Sequence, residues 1–355
     1  MNRTDRLREK MAQNGWDAVI VSSEINQRYL SRYPFTDGLL LITLQSAELL
    51  TDFRYREDAE KKADKIYTVV TPDRRFPHIR EFFDADGVKT VGFENETLSC
   101  AELDRFKKQL PDYAFTGIGN TIERLREIKD DGELADIARA QDAADAALAH
   151  LLSVIKPEMT EIEVALELEF YMRRAGAEGV SFETIAVSGS ASSLPHGKPR
   201  NIKLQKGFLT LDFGALCNGY CSDMTRTFSV GRADAEMKKL YNTVLKAQTA
   251  GLAYLREGAD CKEADRVARE IIDAEPEYRG TFGHSLGHGV GMFIHEAPRL
   301  STASTAKLSV GNVVTVEPGI YLPGKYGCRI EDMVAVTKDG IRNFAHSPKE
   351  LIELF

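Results

Sequence analysis

The first third of the chain alternates short apolar runs with charged stretches. Between residues 16 and 120, runs such as Ala18–Val21 and Leu39–Thr43 are followed by polar segments with helical spacing. Runs of four or five apolar residues bounded by polar turns are typical of buried strands, and their alternation with helices is typical of an α/β domain. We therefore predict a smaller N-terminal α/β domain over residues 1–124.

The spacing of apolar positions lengthens after residue 124. An amphipathic pattern predicts a long helix over residues 133–155 that ends before Pro157. Further helices are predicted over 161–175 and 235–257, and the strands between and after them should form a curved antiparallel sheet with helices on its outer face. Residues 125–355 are thus expected to be a second domain of the α+β class.

Two strand-like runs in this second domain each carry an aspartate. The runs flank Asn218-Gly219, a strong signal for a two-residue hairpin turn. With that turn, Asp212 pairs with Thr225, and Asp212 and Asp223 become diagonal neighbours on one face, roughly 7 to 8 Å apart. Two carboxylates at such a distance repel each other unless a cation lies between them. The hairpin therefore indicates a cation site.

Two later strands repeat this arrangement. Period-2 alternation places Thr315 with Glu317 on one face, and Arg329 with Glu331 on another. Between the two halves, residues 283–298 contain three histidines among four glycines, a composition too rich in glycine for a helix but suited to close backbone approach. Of the three histidines, we interpret His288 as a ligand.

The candidate ligands are therefore four carboxylates and one imidazole. This set excludes a thiolate zinc finger and favours Mn²⁺, Co²⁺, Fe²⁺ or Zn²⁺. Two such ions together activate a water and polarise a carbonyl, which indicates hydrolysis. Any one of these acids alone would more often be a solvated residue or a turn cap, but five together favour a metal site. The proposed ligands are Asp212, Asp223, His288, Glu317 and Glu331.

These residues lie in motifs that resemble the creatinase, prolidase and methionine aminopeptidase superfamily. The resemblance implies a C-terminal pita-bread catalytic domain and a creatinase/prolidase-like N-terminal domain, and its ligand spacing suits the Xaa-Pro peptidase branch. An N-terminal stretch beginning at Asn26 also resembles the accessory domain of Xaa-Pro peptidases. The motifs are Leu211-Asp-Phe-Gly, Ser222-Asp-Met-Thr-Arg, Gly287-His-Gly-Val-Gly, His295-Glu, Val316-Glu-Pro-Gly and Arg329-Ile-Glu-Asp.

The resemblance also implies how the ligands divide two divalent ions, of which manganese is the first choice. Asp212 would hold one ion, His288 and Glu317 would hold the other, and Asp223 and Glu331 would bridge both. Glu317 would in addition be a proton shuttle. The implied activity is a dinuclear-metal exopeptidase that hydrolyses the Xaa-Pro bond, and a homodimer is a family expectation.

Other residues acquire roles by the same resemblance. His284 and His295 would contact the substrate and stabilise the tetrahedral intermediate, and His196 with His295 would stabilise the developing oxyanion. Arg299 would hold the terminal carboxylate of a dipeptide. Arg329 shares a predicted strand face with Glu331, so apart from the resemblance it is expected beside the ligands, where it neutralises or orients a carboxylate, and it is also a candidate substrate-binding residue. The alternatives are a loop role for the histidines and an exposed surface arginine for Arg299.

The composition limits the classes of molecule that this protein is expected to bind. The 355 residues carry a formal net charge of -8 and contain no long basic run, which argues against nucleic acid and anionic membranes and leaves proline-containing di- or oligopeptides. No apolar run approaches the roughly 18 residues of a membrane span, and no signal peptide is recognised, so a cytoplasmic protein is expected. The five cysteines show no metal spacing and are expected to be reduced.

Three alternatives stay open beside an Xaa-Pro dipeptidase. An Xaa-Pro aminopeptidase would act on longer peptides through the same ligands. A non-catalytic pita-bread binding protein would have lost ligands, whereas all five are present. A creatinase-like enzyme would hydrolyse a C–N bond without metal, and the presence of both Asp212 and Asp223 disfavours it.

Overall fold

The computed structural model describes residues 2–355. The chain divides into two compact units, Met1–Arg126 and Glu127–Phe355. The boundary expected between residues 124 and 125 falls inside the short helix Thr121–Glu127.

The first unit is a mixed sheet with helices. Its helices α1 to α6 span Arg3–Asn14, Glu24–Ser31, Phe53–Lys62, Arg75–Ala85, Cys100–Gln109 and Thr121–Glu127. Its strands β1 to β6 span Ala18–Val21, Leu39–Thr43, Ala47–Leu50, Thr68–Val70, Thr90–Phe93 and Ala114–Gly117. The strand order is β4-β3-β2-β1-β5-β6, with β1 parallel to β5 and antiparallel to β2. This unit has the predicted α/β character.

The second unit contains four long helices, α7 to α10, which begin at capped residues. Asp130 and Thr160 each form a capping box with the glutamate three residues later, so the first backbone N–H groups of α7 and α8 are satisfied. The helices predicted over 133–155, 161–175 and 235–257 are confirmed as α7, α8 and α9. The bounds are Asp131–Val154, Glu161–Arg174, Ala235–Tyr254 and Cys261–Asp273.

The strands of this unit form four sheets. Strands β7 to β13 span Gly179–Val180, Ile185–Ser188, Gly207–Phe213, Ala215–Cys217, Tyr220–Cys221, Met224–Val230 and Gly287–Gly289. Strands β14 to β20 span Glu296–Leu300, Val313–Val316, Gly319–Leu322, Tyr326–Arg329, Asp332–Thr337, Gly340–Asn343 and Glu353–Leu354. The sheet orders are β20-β12-β9-β8, β14-β13-β15-β18-β19, β11-β10-β7 and β16-β17.

Each helix pair of the second unit packs on one sheet. Helices α7 and α8 share an apolar core with Leu209, Leu211 and Phe213 of β9. Helices α9 and α10 share another with Val314 and Val316 of β15. Because successive side chains on a strand point to opposite faces, the residues between these apolar positions face away from the helices. Asp212 of β9, and Glu317 directly after β15, therefore lie on the helix-free faces.

Candidate metal centre and its pocket

Asp212 and Asp223 lie on either side of the predicted hairpin. Asn218 and Gly219 have φ values of 48° and 82°, the left-handed conformation that the turn requires. Asp212 of β9 pairs with Thr225 of β12, which confirms the predicted register. Asp223 immediately precedes β12 and is buried. The turn thus positions both carboxylates on one side of the hairpin.

His288 occupies the middle of β13, between two glycines that allow close packing. A Cβ on Gly287 would lie 2.0 Å from the carbonyl oxygen of Thr315, and one on Gly289 would lie 2.2 Å from that of Ala297. No side chain fits at those distances. The glycines therefore let β13 approach β14 and β15 closely, and His288 reaches the face where Glu317 follows β15.

The tautomer of His288 follows from its contacts. Its Nδ1 lies 3.1 Å from the carbonyl oxygen of Gly289, which only accepts hydrogen bonds, so Nδ1 carries the proton. The lone pair of Nε2 is left free, 3.5 Å from Asp223 Oδ2 and 3.4 Å from Glu317 Oε1. This is the arrangement in which an imidazole binds a metal.

Ligand atoms of three residues converge most closely. One atom each from Asp223, His288 and Glu331 lie within 4.8 Å of one another, and all three side chains are buried. Glu331 lies between β17 and β18, and its backbone N–H donates to the carbonyl of Thr225. The structure therefore brings together the acids of two strand pairs that are about a hundred residues apart.

Without ions, the buried carboxylates resist ionisation. Burial, and then neighbouring carboxylates, raise the pKa of Asp223 and of Glu331 well above the usual range. Burial likewise raises the pKa of Glu317 to about 8, partly opposed by Arg329. Burial lowers the pKa of His288 to about 4, so its ring is neutral at physiological pH. Neutral imidazole and deprotonated carboxylates are the forms that bind metals.

The residues fit a pair of divalent cations. The four acids proposed as ligands line the pocket together with one buried guanidinium, that of Arg329, so these five side chains carry three negative charges if all the acids are ionised. The Oδ1 atom of Asp212 is buried and has no hydrogen-bond partner in the structure, an arrangement that costs energy unless a ligand satisfies it. Carboxylate oxygens with one imidazole nitrogen are a donor set for Mn²⁺ and similar ions.

Arg329 connects several groups around this centre. It is buried, and its NH2 group donates to Asp212 Oδ2 at 2.5 Å, while NH1 donates to the hydroxyl of Tyr321 at 2.7 Å and to the carbonyl of Pro195 at 3.2 Å. These contacts fit the predicted orientation of a carboxylate. Its role as a substrate ligand stays a prediction.

His284 is held by a directed chain of hydrogen bonds. Because Arg329 donates to the Tyr321 hydroxyl, that hydroxyl is free to donate to His284 Nε2, 3.0 Å away. His284 Nδ1 then donates to the carbonyl of Ser285 at 2.9 Å. Burial lowers the pKa of His284 to about 4, so the ring is neutral. Tyr321 was not predicted from the sequence, because nothing in its spacing distinguishes it from a core tyrosine.

One pocket of about 380 Å³ contains all ten predicted site residues. Glu317, His284 and Arg329 line it with the ligands, and the rings of His288 and His295 meet edge to face with centroids 4.5 Å apart. His196, His295 and Arg299 are exposed. An apolar wall that sequence analysis missed completes the lining, and it consists of Phe182, Ile185 and Ile294.

Comparison with known proteins agrees with this architecture. The model of metallopeptidase family M24 matches residues 135–338, and that of the creatinase/prolidase N-terminal domain matches residues 3–128. An Xaa-Pro dipeptidase of Pyrococcus horikoshii is 36% identical over 353 residues, covering 99% of this chain and 98% of the relative.

Two solved structures are similar over nearly the whole chain. An Xaa-Pro dipeptidase from Bacillus anthracis superimposes with a TM-score of 0.95 at 42% identity, covering 99% of both chains. An X-Pro aminopeptidase from Thermotoga maritima superimposes with a TM-score of 0.91 at 35% identity, covering 100% of both chains. Both substrate-length classes are thus represented among the similar structures.

Proposed function

The chain belongs to metallopeptidase family M24 and has a creatinase/prolidase N-terminal domain, and from this premise we propose that it hydrolyses the bond between an N-terminal residue and a following proline. The observation that carries the proposal is the single pocket in which a neutral imidazole and four carboxylates converge beside three further histidines and an exposed arginine. Proline-containing peptides are the proposed substrates.

Two divalent cations are proposed to bind to Asp212, Asp223, His288, Glu317 and Glu331, and when bound they supply an activated water and polarise the scissile carbonyl. Asp223 and Glu331 are assigned as the bridging pair. Their burial among other carboxylates supports this assignment. Mn²⁺ is the proposed ion because the donors are hard oxygens with one imidazole; Co²⁺, Zn²⁺ and Fe²⁺ accept the same set.

Glu317 is proposed to move the proton. When water adds to the carbonyl carbon, its proton passes to Glu317 and then to the proline nitrogen as the C–N bond breaks. Glu317 lines the pocket beside the histidines and the other acids, which supports this role. In the metal-free protein burial raises the pKa of this carboxyl to about 8. Bound cations would lower that pKa.

His196 and His295 are proposed to stabilise the oxyanion that develops on the carbonyl oxygen. Both are exposed and line the pocket. Partial loss of solvent around the ring, and then the charge of nearby Arg299, lower the pKa of His295, which favours a neutral ring that donates a hydrogen bond. His284 is proposed to contact the substrate, positioned by its bonds to Tyr321 and Ser285.

Arg299 favours a dipeptide as the substrate. It lies on β14, exposed at the pocket, where its guanidinium can bind the carboxylate that follows the scissile bond by one residue. A longer peptide presents an amide at that place. An Xaa-Pro aminopeptidase is the second candidate, because the similarity to the Thermotoga maritima aminopeptidase is also extensive.

The test is to compare an Xaa-Pro dipeptide with the matching Xaa-Pro-Yaa tripeptide, using wild type and Arg299→Ala. Loss of a charge-assisted bond costs about 1.5 to 3 kcal/mol, so kcat/KM for the dipeptide should fall about ten- to hundredfold. Cleavage of the tripeptide should be nearly unaffected. Arg299→Lys should have an intermediate effect, because lysine keeps the positive charge but lacks the planar guanidinium that binds a carboxylate through two hydrogen bonds. Equal losses on both substrates, or a wild-type preference for the tripeptide, would favour the aminopeptidase.

Metal analysis tests the two remaining alternatives. A peptidase should retain about two ions per chain and lose activity on chelation. A non-catalytic binding protein would hydrolyse neither peptide at any metal concentration. A creatinase-like enzyme would hydrolyse creatine and resist chelation.

A cytoplasmic location and a homodimer complete the proposal. All five cysteines are free thiols, as expected in a reducing compartment. Among residues 2–355, no helix combines the length and apolar character needed to cross a membrane. The homodimer rests on family resemblance, and light scattering of the purified protein would measure it.

A further inference from the structure

Two buried threonines contact carboxylates of the candidate metal centre. Thr225 and Thr315 are both 0% exposed. The hydroxyl of Thr225 lies 2.7 Å from Glu331 Oε2, and that of Thr315 lies 3.2 Å from Glu317 Oε1. The two threonines lie on different sheets, β12 and β15, so the similarity of their contacts does not arise from one shared strand.

The direction of the Thr225 hydrogen bond is determined by its second partner. Arg329 Nε lies 3.0 Å from the Thr225 hydroxyl oxygen, and a guanidinium N–H only donates. The hydroxyl oxygen therefore accepts from Arg329, and its single O–H is available for Glu331. An ionised carboxylate only accepts, so the proton of Thr225 points to Glu331 Oε2.

The hydrogen bonds of Thr315 run in the same direction as those of Thr225. The backbone N–H of His288 donates to its hydroxyl oxygen at 3.1 Å, which leaves the O–H to donate to Glu317 Oε1. The donor differs in kind, a backbone amide here and a guanidinium at Thr225. In both cases an N–H donor on one side directs the hydroxyl proton to a carboxylate on the other.

We propose that Thr225 and Thr315 are positioning residues that fix the orientation of Glu331 and Glu317 for metal binding. The inference rests on the proposed function, because it assumes that these two glutamates bind divalent cations. Thr225 contacts Oε2 of Glu331, and Thr315 contacts Oε1 of Glu317, the oxygen that also lies 3.4 Å from His288 Nε2. Each contact limits the rotation of its carboxylate. Ligands that are already held in place lose less entropy when they bind an ion.

Removal of either hydroxyl should therefore weaken metal binding. Groups that contact metal ligands without touching the metal typically change its affinity about 10- to 100-fold. Thr225→Val keeps the shape of the side chain but leaves Arg329 Nε without its acceptor and Glu331 without a donor. Thr315→Val removes the donor to Glu317 and the acceptor for His288 N–H.

The experiment titrates Mn²⁺ into chelator-treated protein by isothermal calorimetry, with thermal melting as a measure of folding. Thr225→Val and Thr315→Val are compared with the corresponding serine variants, which keep the hydroxyl. Thr210→Val is the matched control, since Thr210 is a buried threonine of β9 whose hydroxyl contacts Thr227 at 3.3 Å rather than a carboxylate. If a valine variant does not fold, the Ala variant at that position is compared with the Ser variant instead.

The expected result is a 10- to 100-fold weaker Mn²⁺ affinity for the valine or alanine variants, with serine and Thr210→Val within about threefold of wild type. Wild-type affinity in a folded Thr225→Val or Thr315→Val variant would overturn the proposal for that residue. So would equal losses in the Ser and Val variants, because the hydroxyl would then not be the cause. If wild type itself binds no Mn²⁺, the proposed metal centre is wrong, which distinguishes the two failures.

Discussion

Asp223 and Glu331 are buried side by side with other acids, and their environment opposes the charge that their proposed role requires. In water each carboxylate would ionise near pH 4, but here burial and neighbouring acids raise both pKa values. Arg329, bonded to Asp212, offsets only part of this repulsion. At the scale of single residues, the acids of the centre therefore need added positive charge in order to be ionised together.

Asp223→Asn should remove the bridging carboxylate while leaving the fold intact. We expect loss of at least one ion per chain and a fall in peptidase activity of at least about 100-fold, beyond the usual effect of residues that only contact ligands. In chelator the variant should melt at or above the wild-type temperature, because a buried acid with a raised pKa is removed. Bound-metal analysis, turnover and melting measure these three outcomes.

Asp265→Asn is the contrasting variant for this test. Asp265 is also buried, but Arg269 pairs with it and it does not line the pocket. The Asp265→Asn substitution should lower Tm and leave the metal content unaltered. Full turnover with two ions in Asp223→Asn would contradict the bridging assignment.

His196→Ala and His295→Ala should lower kcat without releasing metal. Loss of one oxyanion donor typically costs about 10² to 10³ in kcat. His346→Ala is the control, because His346 is an exposed histidine that does not line the pocket. Steady-state kinetics and metal analysis decide the outcome, and an unchanged kcat, or ions lost together with activity, would count against the assigned role of that histidine.

At the scale of elements, the strand β13 shows how local backbone chemistry positions a ligand. It is only three residues long, yet it pairs with both β14 and β15. Gly287 and Gly289 make this possible, since any Cβ there would collide with a neighbouring carbonyl group. His288 between them is consequently held against Thr315 by its own backbone N–H.

Gly287→Ala should disturb this strand and the metal site together. The new Cβ would lie 2.0 Å from the carbonyl oxygen of Thr315, so the backbone must shift, at a cost of about 1 to 3 kcal/mol. Gly283→Ala is the matched control, because a Cβ at Gly283 meets nothing within 4 Å. The melting temperature and the metal content should both fall for Gly287→Ala only. Similar behaviour of Gly283→Ala would contradict the packing argument.

At the scale of the whole molecule, metal binding and pH should be coupled through stability. In the unfolded chain His284 and His288 titrate near their ordinary pKa of 6.5, and in the fold their pKa values are lowered to about 4, so above about pH 7.5 both rings are neutral in either state. Glu317, with its pKa raised to about 8, is protonated in the metal-free fold but ionised in the unfolded chain. In that range the unfolded state therefore binds fewer protons, and the stability of the metal-free protein falls from about pH 7.5 to about pH 8.5.

Bound Mn²⁺ should counteract this loss of stability with rising pH. Because the ions require ionised carboxylates, the difference in Tm between metal-loaded and metal-free protein should widen from about pH 7.5 to about pH 8.5. Differential scanning calorimetry at several pH values measures the difference. Glu317→Gln should flatten the metal-free curve in this range, and a constant difference in the wild-type protein would show that the acids are already ionised without metal.

The sequence by itself determined the features that depend on neighbours along the chain. Asn218-Gly219 sets the hairpin turn, and the turn sets the pairing of Asp212 with Thr225. Helix α8 begins at Glu161 because Thr160 and Glu163 cap it. Alternation along β9 and β15 indicated which acids face away from the helices. These results were predictable because turns, caps and strand periodicity act over a few residues.

Only the tertiary structure decided which distant groups meet. Thr225 and Glu331 are 106 positions apart, and Tyr321 and His284 are 37 apart, yet both pairs are hydrogen bonded. The apolar wall around Phe182 was equally hidden, because an apolar residue that lines a pocket has the same local pattern as one in a core. Such contacts follow from the packing of two helix-covered sheets, whose relative placement no local periodicity encodes. The sequence therefore identified candidate ligands, and the fold supplied the hydroxyl and phenol groups that direct them.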